Sequence, residues 1–170
     1  MNVSVTVGDV LDAVADVLVC PANPWLNMAG GVGSAILARG GDQIRSELQS
    51  FLTSLGKPVV NSGSVILTDA GSLPFKHILH AVAIGPLYDS SIELVRQALE
   101  ACFERAASLG ARSISVPALA TGYGQLSISS FAKAVAPIVR RDWPPLTTVN
   151  LVMFTDEIAA TVREVLGQET

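Results

Sequence analysis

The chain has 170 residues, 49% hydrophobic and 15% charged, with a formal net charge of −4 and a pI near 5.0. That length suits one domain with a full core, and the composition excludes a disordered chain. No basic cluster exceeds Arg140-Arg141, which argues against a nucleic-acid partner, and no apolar run approaches the roughly 18 residues that cross a bilayer.

The opening residues lack the basic start and apolar stretch of a secretory signal, so a cytoplasmic location is expected. Residues 3–7 alternate apolar and polar side chains, which predicts a strand that Gly8-Asp9 ends. Val17 to Ala22 is an apolar run of strand length, broken by Pro24. After Gly30-Gly31 the spacing of Val32, Ala35 and Ile36 predicts a helix stopped by Gly40-Gly41. Asp42 is expected to cap a second helix, with Ile44, Leu48, Phe51 and Leu52 on one face and Gly56 after its end. Residues 64–68 and 77–83 read as strands, separated by a turn over 69–74, and Gly85-Pro86 closes the second.

Ser91 then caps a long helix whose buried stripe is Leu94, Val95, Ala98, Leu99, Cys102 and Ala106, with Gly110 as its stop. Residues 113–118 read as a strand and 128–139 as a helix that Pro137 must kink or end. Trp143-Pro144-Pro145 is a connector, 149–154 a strand, and Asp156 the expected cap of a last helix through Leu166. Strands alternate with helices, with no repeat and no linker. That order predicts an α/β fold, a largely parallel sheet covered on both faces.

Two glycine-bearing loops each follow an apolar strand. The first runs from Ala22-Asn23 through Gly30-Gly31-Val32-Gly33, and the second is Ala120-Thr121-Gly122-Tyr123-Gly124. Such loops aim bare backbone N–H groups at an anion, and a following helix adds its dipole. Two of them suggest a pyrophosphate held from both sides. In parallel sheets ligands sit at the carboxyl ends of strands, so both loops are expected on one edge. Cys20 and Cys102 fit no metal spacing and read as buried thiols. His77 and His80, three apart in a strand, point to opposite faces and read as structural. Lys76 reads as a solvated charge at the strand start.

Taken together, these segments resemble the macro domains, which bind ADP-ribose and its derivatives. Gly8-Asp9-Val10 is similar to the family's Gly-Asp-Ile opening, and Cys20-Pro21-Ala22-Asn23 to its Asn-Ala-Ala-Asn segment. Ala29-Gly30-Gly31-Val32-Gly33-Ser34-Ala35-Ile36 resembles its glycine loop. Residues 73–80 resemble the stretch before its Gly-Pro turn, and Pro117 to Gly122 its Pro-x-x-Ser-Thr-Gly loop. The resemblance spans roughly residues 3 to 167 and implies a three-layer α/β/α fold with a mixed, largely parallel central sheet, one domain over 1–170.

The resemblance also implies roles. Asp9, beside Val10, would accept the adenine amino group, or else merely cap the turn that follows. Asn23 would bond the distal ribose, or else be an ordinary turn residue before proline. Gly30, Gly31 and Val32 would wrap the diphosphate, with Thr121, Gly122, Tyr123 and Gly124 closing from the other side. Tyr123 would lie on the ribose or stand at a loop tip, and Trp25 would stack on ligand or pack under the loop. The partner implied is ADP-ribose or a related nucleotide, free or on a modified protein, with no metal and no cofactor.

Gly33 stands where hydrolytic members of the family carry an aspartate, Leu37 where they often carry histidine, and Cys20 replaces the first asparagine. A glycine cannot act as a base. The leading expectation is therefore a binding module. The alternative is a weak hydrolase of O-acetyl-ADP-ribose or ADP-ribosyl esters, with Asn23 and the ligand's own phosphate orienting water. Gly33→Asp would then restore activity if the acid is all that is missing. Asp42 and Asp69 are not placed near Asn23, and Lys57 and Lys76 sit in no matching motif. The unusual Trp25-Leu26-Asn27-Met28 insert keeps a different nucleotide specificity open.

Overall fold

The computed structural model describes residues 1–168, so residues 169–170 of the expected domain lie outside the described residues. Its strands are β1 (Asn2–Val7), β2 (Val17–Ala22), β3 (Val65–Asp69), β4 (His77–Val82), β5 (Ser113–Val116) and β6 (Thr148–Met153). Its helices are α1 (Gly31–Gly40), α2 (Gln43–Leu55), α3 (Ile92–Ser108), α4 (Ile128–Val139) and α5 (Asp156–Leu166), with a 3-10 turn at Val10–Asp12.

The strands form one sheet in the order β1-β6-β5-β2-β4-β3. Every neighbouring pair is parallel except β3 with β4. Side chains on a strand alternate between faces, so the apolar runs feed two cores. Val17 and Val19 of β2, with Leu79 and Ala81 of β4, meet α3, α4 and α5. Leu18 and Cys20, with Ile78 and Val82, meet α1 and α2. The sheet is thus covered on both faces by helices. Among the described residues no helix is long and apolar enough to cross a membrane.

Several local expectations are corrected. Phe51 is 39% exposed, because α2 buries only the stripe of Ile44, Leu48 and Leu52. Asp42 makes no capping bond; its backbone is already helical, and its carboxylate faces Arg45 instead. The cap of α5 is Thr155, whose hydroxyl accepts from the Ile158 N–H, and Asp156 is the first helical residue. Leu94 is only half-buried, while Phe103 joins the fully buried face of α3. Pro137 lies in the last turn of α4, which ends at Val139. Strand β5 stops at Val116, so Pro117 and Ala118 belong to the loop. Lys76 is exposed but not merely solvated; its Nζ lies 2.7 Å from Asp16 Oδ1. Asp16 also accepts the Arg112 N–H, and these bonds, led by Lys76, hold its carboxyl below the usual range.

His80 is fully buried on β4, facing the α1 and α2 side. Thr68 Oγ1 donates to the Asp69 carbonyl and lies 2.9 Å from His80 Nε2, so Nε2 carries the imidazole proton. Nδ1 is buried without a partner, and burial pushes the pKa from 6.5 down to about 4. The unfolded chain therefore takes up this proton before the folded one does. The associated stability is complete above the unfolded value and is lost as pH falls from there toward 4, about 3 kcal/mol in all. Urea denaturation across that window is expected to show this loss, with a shallower slope in His80→Gln. A flat wild-type profile would contradict it.

Candidate functional site

In a parallel sheet all strands deliver their following loops to one edge. Here β1, β6, β5, β2 and β4 run the same way and lie side by side in that order. Their carboxyl ends present Gly8-Asp9, Phe154, the 117–124 loop, the 22–33 loop and Ala83-Ile84 in sequence along one edge. Residues from each of these segments line a cleft of two adjoining chambers. One chamber, of about 360 Å3, is lined by Asp9, Val10, Val152, Phe154 and Ile158, among others. The other, of about 250 Å3, is lined by Asn23, Ala83, Ile84, Tyr123 and Gly124, among others. Gly31, Val32, Ala118 and Thr121 line both, so the two glycine loops stand at the junction. The expectation that both loops open on one edge holds.

The first loop delivers its backbone to α1. Gly30 has φ 111° and ψ 167°, a conformation open to glycine, and no side chain caps the helix. The first N–H groups of α1 consequently lack intrahelical partners, and Gly31 and Val32 of that first turn line the junction at the positive end of the helix dipole. A Cβ built on Gly31 or on Gly122 meets no atom within 4 Å, so the space in front of both is open. Gly33 is different: a Cβ there would stand 2.7 Å from the Met28 carbonyl oxygen. A side chain at position 33 would therefore have to displace the Met28 backbone.

Asp9 caps the 3-10 turn, accepting the Leu11 N–H at 2.9 Å on Oδ1. Its Oδ2 accepts from Arg39 Nη1 at 3.1 Å, and Arg39 also reaches Asp12. Each oxygen keeps one lone pair. Val10 is buried beneath it in the same chamber. Asn23 is 7% exposed; its Oδ1 accepts the Trp25 N–H at 3.1 Å and its Nδ2 donates to Asn27 Oδ1 at 2.7 Å. The turn role of both residues is therefore present, alongside their place in the cleft. Tyr123 is exposed at its loop tip, lines the Asn23 chamber, and continues through Tyr88 to Trp25 at centroid spacings of 5.8 and 5.9 Å. Trp25 itself lines neither chamber and packs at this rim.

Among the described residues, the non-glycine positions with left-handed backbone are Leu26, Met28, Tyr88, Ala120 and Gln125. All lie in the loops at the Asn23 end, so backbone strain concentrates there. The side chains lining that chamber include no carboxylate, imidazole, thiol or amine. Cys20 lies behind it, fully buried, its thiol pushed up to about 12 by desolvation. Burial likewise raises the Cys102 thiol, and both cysteines are free. Among the described residues no group of three His, Cys, Asp or Glu is placed to hold a metal.

Phe154, which in the sequence reads only as the end of a strand, also belongs to the cleft. It is 82% exposed at the end of β6 and walls the Asp9 chamber. The signal was available: an aromatic residue just past the carboxyl end of a strand, on the edge where ligands of such sheets bind. Arg39 left no such signal, and Asn27 stood out only as part of an unusual loop segment, because their partners lie across space.

The fold has known counterparts. A family profile described as Macro domain matches residues 19–135. A macro domain-containing protein of Streptomyces griseus is 34% identical over 166 residues, covering 94% of this chain and 92% of that protein. An "uncharacterized protein" of Aquifex aeolicus is 34% identical over 169 residues, covering 98% of this chain and 99% of its own. The structure of a mutant Oceanobacillus iheyensis macrodomain with ADP-ribose superposes at a TM-score of 0.88 and 26% identity, over 97% of this chain and 91% of that one. Profile and relatives agree, and the chain belongs to the macro domain family.

Proposed function

We propose that the protein binds ADP-ribose, free or protein-linked, along the two-chambered cleft. The observation that carries this reading is the junction: two glycine loops and a helix N-terminus meet where a chamber walled by Asp9 and Phe154 adjoins one lined by Asn23 and Tyr123. A diphosphate belongs at that junction, on backbone N–H groups. The adenine then enters the Asp9 chamber, its face against Phe154 and its amino group donating to a free lone pair of Asp9. The distal ribose takes the other chamber, beside Asn23 and under Tyr123. The ADP-ribose carried by the related Oceanobacillus macrodomain supports the assignment.

Binding is favoured over turnover. Asn23, Thr121 and Tyr123 are the polar side chains lining the ribose chamber, and none is a base suited to neutral pH. Hydrolysis would have to draw its proton acceptor from the ligand itself, with Asn23 orienting water.

Asp9→Ala provides the test. It removes a charged acceptor and is expected to weaken ADP-ribose by about tenfold or more. Ribose 5-phosphate has no adenine, and its affinity is expected to stay near the wild-type value. Equal losses for both ligands would refute the adenine assignment.

A further inference from the structure

Asn27 sits in the first loop with an exposed side chain and lines neither chamber. Its Oδ1 nevertheless accepts two hydrogen bonds, from the Ala29 N–H at 3.0 Å and from Asn23 Nδ2 at 2.7 Å. A backbone N–H can only donate, so Ala29 decides which end of the Asn27 amide is oxygen. The Asn23 atom facing that oxygen must then be nitrogen. The Trp25 N–H, which donates to the other end of the Asn23 amide, requires the same orientation independently. Two backbone donors thus set both side-chain amides. Asn23 is left with one N–H and one lone pair, a donor and an acceptor that suit neighbouring hydroxyl groups.

We propose that Asn27 is a positioning residue: it locks the Asn23 amide in the one orientation that offers this donor–acceptor pair to the distal ribose. The proposal rests on the ADP-ribose reading above. The side-chain torsion of an asparagine amide is soft, and without Asn27 only the Trp25 N–H would hold it. The loop is built around this bond. Leu26 and Met28, on either side of Asn27, have left-handed backbone at φ 52° and 59°, a conformation costly for residues with a β-carbon. The Met28 carbonyl in turn rests where a side chain at position 33 would stand. The departure of this loop from plain glycine, and the glycine at 33, are then parts of one arrangement.

The test uses the full chain and two nucleotides, ADP-ribose and ADP, which differ by the distal ribose. Asn27→Ala is expected to weaken ADP-ribose by about fivefold to tenfold and to leave ADP unchanged. Asn27→Asp keeps both acceptor bonds. Its added charge lowers both affinities, but their ratio is expected to remain that of the wild type. Equal loss of both nucleotides in Asn27→Ala, or no loss of either, would overturn the proposal. A ligand-free readout runs beside it: exchange of the Asn23 side-chain amide protons by NMR. Slow exchange of the bonded proton is expected in the wild type and in Asn27→Asp, and fast exchange in Asn27→Ala. Exchange unchanged by Asn27→Ala would also overturn the proposal. A wild-type chain that binds neither nucleotide would overturn the functional reading instead, and the amide measurement then decides the positioning on its own.

Discussion

A Gly31→Glu chain is expected to fold like the wild type and to lose ADP-ribose affinity by about a hundredfold or more. Gly31 opens α1 without a positive φ, and a Cβ there meets nothing within 4 Å. The new side chain therefore strains no backbone and displaces no core atom. A carboxylate in the first turn of a helix is moreover favourable to the helix dipole. The same features make it destructive for binding. Its charge occupies the junction of the two chambers, where the diphosphate is proposed to lie. Like charges about 4 Å apart repel by roughly 4 kcal/mol at the effective dielectric of a protein surface, enough for the stated loss. Thermal denaturation checks the fold and calorimetry the affinity. Wild-type affinity in a folded variant would put the ligand elsewhere.

Gly33→Asp is expected to gain no hydrolase activity and to lose stability, by about 1–3 kcal/mol. The two glycines are separated by a single residue, yet their surroundings are opposite. Gly33 is buried, with the Met28 backbone 2.7 Å from where its Cβ would be. An aspartate must push the Met28 backbone, and with it the 26–29 loop, outward. The displaced loop carries Asn27, so the Asn23 amide would also lose its anchor. Urea denaturation, together with an assay for release of ADP-ribose from an ADP-ribosyl ester, checks both parts. A stable variant with raised turnover would show that the loop yields easily and that the acid alone was missing.

The architecture was largely legible because buried parallel strands announce themselves. Val17–Ala22 is apolar on both alternating faces, the 77–82 stretch is apolar but for its two histidines, and Gly56 and Gly110 stop their helices where the chain needs φ 66° and 73°. Errors arose where two neighbouring residues could do the same work. Thr155 and Asp156 are both capable caps, and only the backbone angles choose between them. Phe51 fits the helical period, but the stripe that α2 buries is narrower than its apolar face.

The site was legible in its backbone and less so in its side chains. Glycines that bare N–H groups leave a pattern along the chain, whereas pairings across space do not. Arg39 reaches Asp9 from 30 residues away, and Asp16 is held by Lys76, Arg112 and Ser113 from separate elements. The crowding at Gly33 is likewise invisible in the sequence. There the glycine is an absent acid, whereas in the fold it is the space that the Met28 carbonyl needs.

The central claim is that the junction of the two chambers holds the diphosphate of an ADP-ribose unit that fills both. Calorimetric titration of the purified protein with ADP-ribose, with AMP as control, tests it most directly. AMP fills only the adenine chamber and part of the junction. Saturable one-to-one binding of ADP-ribose is expected, tighter than AMP by about tenfold or more, since AMP forgoes several hydrogen bonds. Equal affinities for the two, or no binding by a folded protein, would contradict it.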